Sequence, residues 1–566
     1  MSVTRRIYFY LVTFVALVVF ATGIGQLLSL LFDVTLRDST LIQIGREAFN
    51  IRQFSLGLAM IVIAGPLWFF FWRSIQKRVT GNLEEIGSAM RKLFLNLILL
   101  TTAFSGLGTA SAFLKWLMDG IQLAYFPSGE LATLIVSAGI WFYHWRVSEK
   151  EGQPSPASKT LRRWYVYIMA GFGLVWLSVG IVVLISAAVL TLPVWTDTLI
   201  SGQFWNDTTR MGISWILLGG ATWYFHWFRM VRGDIESVLR QVYFYLLAIS
   251  GGAIATLVAL TTTVYQVLKW IIGAVTVSAG QHFQFLGWSL PTILIGIAIW
   301  GYHRQLVREE QAQVVERQLS AQRVHLYLMS FLGLGTLVTG LIYLFGILLG
   351  LIISSVSTPA AGSPGGWKDS LSLCLALLIV GTPLWLYYWG KVLKLSETGG
   401  VVEWRARSRR IFLYIIVGAA IGTLIADLVN TVYQILNGLL QGNFGVQVLR
   451  AIRWSLQTLI VAAPLLWYHW RIIRTDQHRG AEAVTVQKTV TLVASDRTGE
   501  LASRLVEKLG YKIRVLSTVS SPDERTALIS DEEMMQTITN VQNAPSTTVL
   551  LVALGGKIIV LPYREK

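Results

Sequence analysis

The 566-residue sequence predicts an all-α polytopic membrane protein: twelve transmembrane helices in three four-helix repeats, followed by a small C-terminal cytoplasmic α/β domain. Three observations predict it. Apolar residues make up 54% of the chain and charged residues 14%, where a soluble globular protein carries about 25% charge. Apolar segments of spanning length recur, opened and closed by the same two signatures. From about residue 481 the composition changes to that of a soluble domain. Together these exclude a soluble enzyme with an appended anchor, and they exclude disorder, which requires low hydrophobicity.

The apolar segments lie at 7–31, 53–72, 93–117, 130–145, 164–190, 211–228, 242–272, 288–303, 326–353, 371–389, 411–436 and 454–470. About 20 apolar residues at 1.5 Å rise cross a bilayer core of roughly 30 Å. The segment at 130–145 is short for this and needs its flanks or a partly interfacial placement. The first segment exceeds the 7–15 residues or so of a signal-peptide core, so it reads as a retained helix.

Alternate segments end in an aromatic cluster: WFFFW (68–72), WFYHW (141–145), WYFHW (223–227), WGYHR (300–304), WLYYW (385–389) and LWYHW (466–470). Their partners begin with a basic residue and then aromatics, as in RRIYFY (5–10), RRWYVY (162–167), RQVYFY (240–245) and RRIFLY (409–414). A longer period lies on top of this. TVYQVLKW (263–270) resembles TVYQILNG (431–438), and both align with TASAFLKW (109–116), while Gly23, Gly180 and Gly340 share a register. The repeating unit is therefore a four-helix module, at 1–152, 160–311 and 320–480, with a further domain at 485–566. An internal repeat of this length is the sequence mark of a modular architecture. Each module has an even number of helices, so the three are parallel in topology rather than inverted.

Charge sets the orientation. Of 47 Lys and Arg, 28 fall on the side that holds the N-terminus and the loops after the aromatic clusters, and nine on the other; the last 86 residues hold ten. That asymmetry places both termini in the cytoplasm. It also accounts for most of the net charge of +16, which therefore supports anionic lipid headgroups as partners and leaves nucleic acid without support. The single cysteine, Cys374, precludes an intrachain disulfide and a thiolate zinc site.

Beyond 485, TVTLVAS (489–495) and KIRVLS (512–517) read as strands and TGELASRLVEKLGY (498–511) as a helix that Gly510 ends. Ser530, Asp531 and Glu533 open a second helix. TTVLLVAL (547–554) and KIIVLPY (557–563) form a hairpin about Gly555 and Gly556. The turn at ASDRTGE (494–500) either cradles an anion or is simply capped by Asp496 or Thr498.

Few residues carry chemistry. His144, His226, His303 and His469 share one register in the aromatic clusters. A neutral imidazole ligates metals and tetrapyrroles, but Phe71 and Tyr388 fill the position in two clusters, which favours packing at the membrane boundary. Asp427 is an acid inside a span and so a default site candidate. Thr423, Asn430 and Gln434 lie on its helical face, able either to line a hydrated path or to fix helix packing. The aligned residues are Ala259 and Ser105, so no acid recurs. Lys115 and Lys269 share a register near helix ends, where lysine snorkels to headgroups. The Trp-rich clusters read as an interfacial belt, and Gly418 and Gly422 as a close helix contact. No nucleophile–base constellation or phosphate-binding glycine motif is present. The expectation is a non-enzyme with no cofactor or metal.

The module start, R-x-apolar-aromatic in RRIYFYLVTFVAL and RRWYVYIMAGFGL, and the closing W-x-x-H-W resemble a bacterial membrane family, domain of unknown function 5671, over about 1–480. WGYHR departs from it at Arg304. The resemblance implies a bacterial integral membrane protein and no activity. The function expected is a structural or sensory membrane module whose cytoplasmic tail docks a protein partner or ligand. A transporter or channel using the Asp427 face is the alternative, and a cofactor-binding subunit of a redox or light-driven complex a more remote one.

Overall fold

A computed structural model describes residues 3–563 apart from 38–45, 81, 196–202, 232, 235–236, 274, 312–317, 357–365, 405, 487–488, 495–498, 510–512, 518–529, 545, 547 and 555–556. The chain divides into two compact units, Met1–Tyr388 and Trp389–Lys566.

Each predicted apolar segment is helical. The helices are α1 (Val3–Thr35), α2 (Arg46–Val79), α3 (Ala89–Met118), α4 (Ser128–Glu151), α5 (Pro156–Leu190) and α6 (Asp207–Trp223). They continue with α7 (Val238–Ile272), α8 (Leu286–Gln311), α9 (Gln318–Val356), α10 (Gly366–Trp404), α11 (Arg407–Leu440) and α12 (Val446–Val486). Among the described residues nine helices are long and apolar enough to cross a membrane; α4, α6 and α12 are not in that set. Large apolar side chains stand bare along them, such as Val62, Ile63 and Phe70 on α2. A surface of this kind is stable in hydrocarbon and not in water.

Helix pairing repeats along the first unit. In it α1 packs on α2 and α4, and α3 on α4; correspondingly α5 packs on α6 and α8, and α7 on α8. Between apolar helices in lipid the hydrophobic effect is absent, and association relies on close packing at small residues. Gly180 of α5 illustrates it: a Cβ there would lie 2.8 Å from the Gly212 carbonyl oxygen of α6. Gly23 meets the Gly57 carbonyl oxygen in the same way, at 2.9 Å, while at Gly340 a Cβ would press on the Leu377 side chain at 3.1 Å. Gly418 and Gly422 do not follow this pattern. Both are exposed, and a Cβ on either would meet nothing within 4 Å. The close helix contact expected from their spacing is absent, because α11 turns its other face, with Phe412, Leu413, Ile416 and Ala420, inward.

The aromatic clusters also depart from the belt expected of them. Phe69, Phe70, Phe142 and Trp467 are exposed as such a belt requires, but Trp72, Trp227 and Trp389 are buried. Two cores of the first unit are built around them: Tyr10, Trp72, Phe94, Leu95 and Ile98 in one; Tyr165, Tyr167, Trp227, Tyr243 and Phe244 in the other.

After α12 the chain forms β1 (Thr489–Ala494), α13 (Gly499–Leu509), β2 (Arg514–Ser517), α14 (Asp531–Asn543), β3 (Thr548–Leu554) and β4 (Lys557–Tyr563), in the expected order. The sheet order is β2-β1-β3-β4, with β1 parallel to β2 and β3, and β3 antiparallel to β4. Strand alternation sends Val490, Leu492, Val549 and Leu551 inward against Leu501 and Leu505 of α13 and Met534, Ile538 and Val541 of α14. Ser530 caps α14, accepting from the Glu533 amide at 3.2 Å. Asp496, Thr498, Gly510, Gly555 and Gly556 lie outside the described residues.

Candidate functional site

The Trp that closes the aromatic cluster of each second apolar segment, an Arg near the start of each third helix and a Tyr-His pair on each fourth come together three times. Helix geometry dictates the partners. An acid stands seven residues after each of these histidines: Glu151 after His144, Glu310 after His303, Asp476 after His469. Seven residues are two turns, so His and acid share one face. The same face of the third helix carries Arg and, three residues on, an aromatic ring: Arg91 with Phe94, Arg240 with Tyr243, Arg409 with Phe412.

In the first cluster, Arg91 donates from Nη2 to Glu151 Oε1 at 2.6 Å, and Lys92 Nζ reaches Oε2 at 2.9 Å. Arg91 and Lys92 are 0% exposed. The Arg91 guanidinium lies 4.9 Å from the Trp72 ring centroid, and Trp72 Nε1 donates to the Tyr143 hydroxyl at 2.7 Å. In the second, Arg240 holds Glu310 through Nη2 (2.6 Å) and Nε (2.9 Å), lies 5.0 Å from Trp227, and Trp227 donates to Tyr302 at 3.2 Å. In the third, Arg409 holds Asp476 through Nε (2.6 Å) and Nη2 (3.2 Å), and Trp389 donates to Tyr468 at 2.6 Å while stacking on Phe412. A bidentate guanidinium–carboxylate pair satisfies both charges. Breaking such a buried pair costs about 3–5 kcal/mol because the partner is left charged and dry. We call each cluster a latch, since it joins three helices at one end of a module.

The histidines belong to this arrangement unequally. His144, His303 and His469 sit in the latches, 5.3, 5.9 and 5.8 Å from Trp72, Trp227 and Trp389. His226 is on a second helix, edge-on to Tyr165. In all four, Nδ1 meets the carbonyl oxygen four residues back, at 2.8–2.9 Å. A carbonyl only accepts, so Nδ1 carries the proton and Nε2 presents a lone pair. That Nε2 is buried without a hydrogen-bond partner in all four. One imidazole does not complete a metal site, and among the described residues no group of three or more His, Cys, Asp or Glu could hold an ion.

Asp427 lies on α11 facing α12. Thr458 donates to its Oδ2 at 2.5 Å, and Asn430 donates to Ser455 at 2.8 Å. Thr423 is exposed and Gln434 half-buried, and neither is drawn into this pair of bonds. Polar contacts between third and fourth helices recur without the acid: Ser137 donates to Ser105 at 3.3 Å and Thr263 to Ser289 at 3.1 Å.

Lys115 and Lys269, expected to reach freely toward headgroups, instead bind acids of a following module. Lys115 pairs with Asp207 at 2.7 Å and Lys269 with Asp369 at 3.2 Å. Hydrogen bonds from Lys115 and from Arg210 hold the Asp207 carboxyl below the usual carboxylate range.

The latch acids and the acids opposite the two lysines were missed by reasoning from the sequence. The constant His-to-acid spacing of seven was the available signal for the former.

Buried charge clusters joining apolar helices, with a small sheet domain at the end of the chain, define a modular membrane protein. The family described as Domain of unknown function (DUF5671) matches residues 6–126, 127–194, 176–302 and 323–449, and the chain belongs to it. Two of the matches begin at the basic start of an apolar helix, at Arg6 and Arg323, and the four together show the family's unit repeated along the chain. No curated protein and no solved structure matches the chain.

Proposed function

We propose that this chain is a twelve-span scaffold of the bacterial inner membrane. On this reading it comprises modules 1–152, 160–311 and 320–480, with both termini in the cytoplasm, and it exerts no catalysis. Its cytoplasmic domain at 485–566 docks a partner, and the helices hold that domain at the membrane surface. The observation that carries the reading is the threefold latch. Three buried arginines, each held by a carboxylate of another helix, serve to fix helices to each other. The Asp427–Thr458 and Asn430–Ser455 bonds support the same role, as helix-to-helix contacts.

Two measurements test it. Crosslinking in intact cells should recover a protein on residues 485–566, and recovery of none overturns the docking role. A steady ion flux in proteoliposomes that Asp427→Asn abolishes would replace the scaffold with a transporter.

A further inference from the structure

We infer that the middle latch is a binding site for the phosphate-bearing headgroup of an anionic amphiphile. The three latches share their parts, but helix geometry alters the second. Its two walls each change from α- to π-helical winding, over Tyr224–Met230 and over Tyr243–Ile249. The Val231 amide accordingly bonds the His226 carbonyl, five residues back. One residue more separates Arg240 from Thr263 than separates Arg409 from Thr431, and a π turn is how a helix absorbs a single inserted residue. The second helix also stops at Met230, three residues beyond Trp227, whereas α2 and α10 continue past Trp72 and Trp389 to Val79 and Trp404.

The space this leaves is a cavity of about 640 Å³ lined by Tyr224, Trp227, Phe228, Arg229, Arg240, Tyr302 and Leu306. That is the size of an ordinary small-molecule site, roughly 300–1,000 Å³. Its charge favours an anion. Glu310 matches Arg240, whose Nη1 donates to the Val231 carbonyl. Arg229 is exposed and no acid among the described residues pairs with it, so it adds a second guanidinium to the cavity beside Arg240. A guanidinium fork suits phosphate geometry. Tyr224 and Phe228 are exposed beside it, giving an acyl chain an apolar surface to lie on. Ser74 stands at the position of Arg229 in the first module and Lys391 in the third, so an arginine at this place belongs to the middle latch alone while a basic residue there is shared with the last. The inference rests on the twelve-span reading only in setting this cavity at the cytoplasmic headgroup level.

The test uses the full chain purified in neutral detergent. Binding of phosphatidic acid, phosphatidylglycerol, phosphatidylcholine and inorganic phosphate is followed by tryptophan fluorescence and native mass spectrometry. The two anionic lipids should bind saturably, and Arg229→Gln should weaken them about tenfold, as expected for the loss of one charge-assisted bond. Arg146→Gln, an exposed arginine away from the cavity, should leave binding unchanged. Inorganic phosphate binding as tightly as the lipids, with the same Arg229 dependence, supports the phosphate chemistry and assigns it to a soluble ligand. Equal binding of phosphatidylcholine, or of wild type and Arg229→Gln, overturns the inference. The sidedness is checked separately by introducing Gln153→Cys and labelling intact cells with an impermeant maleimide, the native Cys374 being buried. Labelling from outside would reverse the topology while leaving Arg229-dependent binding intact.

Discussion

The two ends of the helices handle charge in opposite ways. At the aromatic-rich helix ends, Arg91 and Arg240 in the first unit and Arg409 in the second are buried and clamp acids close by in the sequence. At the other end, Lys115 and Lys269 are about one-third exposed and reach acids of the next module. The buried pairs are costly to form and costlier to break, since removing one partner leaves an uncompensated charge. The exposed pairs are screened by water and ions and add little, about 0–1 kcal/mol. The difference teaches that each module is closed firmly on itself and joined loosely to its neighbour by charge.

Four changes break or sharpen that comparison. Arg91→Ala should cause the largest loss, about 3–5 kcal/mol, read as a fall in the thermal midpoint of the purified chain; a fall as small as that of the lysine variant would dissolve the distinction. Gly180→Val should cost about 1–3 kcal/mol by overpacking against Gly212, and the same measurement registers it. Trp72→Phe removes the bond to Tyr143 but keeps the ring, and should cost about 1 kcal/mol, with Tyr143→Phe giving no further loss in the double variant. Lys115→Ala should shift the midpoint least, by under about 1 kcal/mol, and high salt should mimic it.

The Lys115–Asp207 link also has a pH signature. The Asp207 carboxyl is held below its ordinary value by the hydrogen bonds of Lys115 and Arg210. A depressed folded-state pKa contributes stability above the unfolded value, and that contribution is lost as pH falls through the folded one. The link should thus persist at neutral pH and open only in acid below the usual carboxylate range. A crosslink between cysteines placed at Lys115 and Asp207 is not a substitute for this charge; the readout is instead the midpoint of Asp207→Asn against wild type across pH 3–7 or so, the two converging in acid.

How much of this was legible in the sequence depends on range. Apolar length and the alternating strands are local, so the long helices and the element order of the C-terminal domain could be read directly. The basic start and aromatic end of each helix were legible too, but not what they do. Composition at a helix end looks the same whether Trp72 meets headgroups or Arg91, because the pairing is set by a helix almost 20 residues away. Glu151, Glu310 and Asp476 were hidden for a related reason: each lies beyond the apolar stretch, where an acid ordinarily means solvent. The expectation for Gly418 and Gly422 failed because a small-residue spacing does not say which face of α11 is turned inward.

The lysine links give the chain a direction. The middle module carries both halves of the connection, Asp207 to receive and Lys269 to pass on; the first supplies Lys115, and in the last Asn437 stands where that lysine would be. A copy of residues 160–311 inserted after itself would find a matching charge on both sides, while a copy added after Asn437 would find none. The lysine-to-acid pattern can thus be extended from the middle of the series, whereas at its end Asn437 offers a following acid no charge to meet.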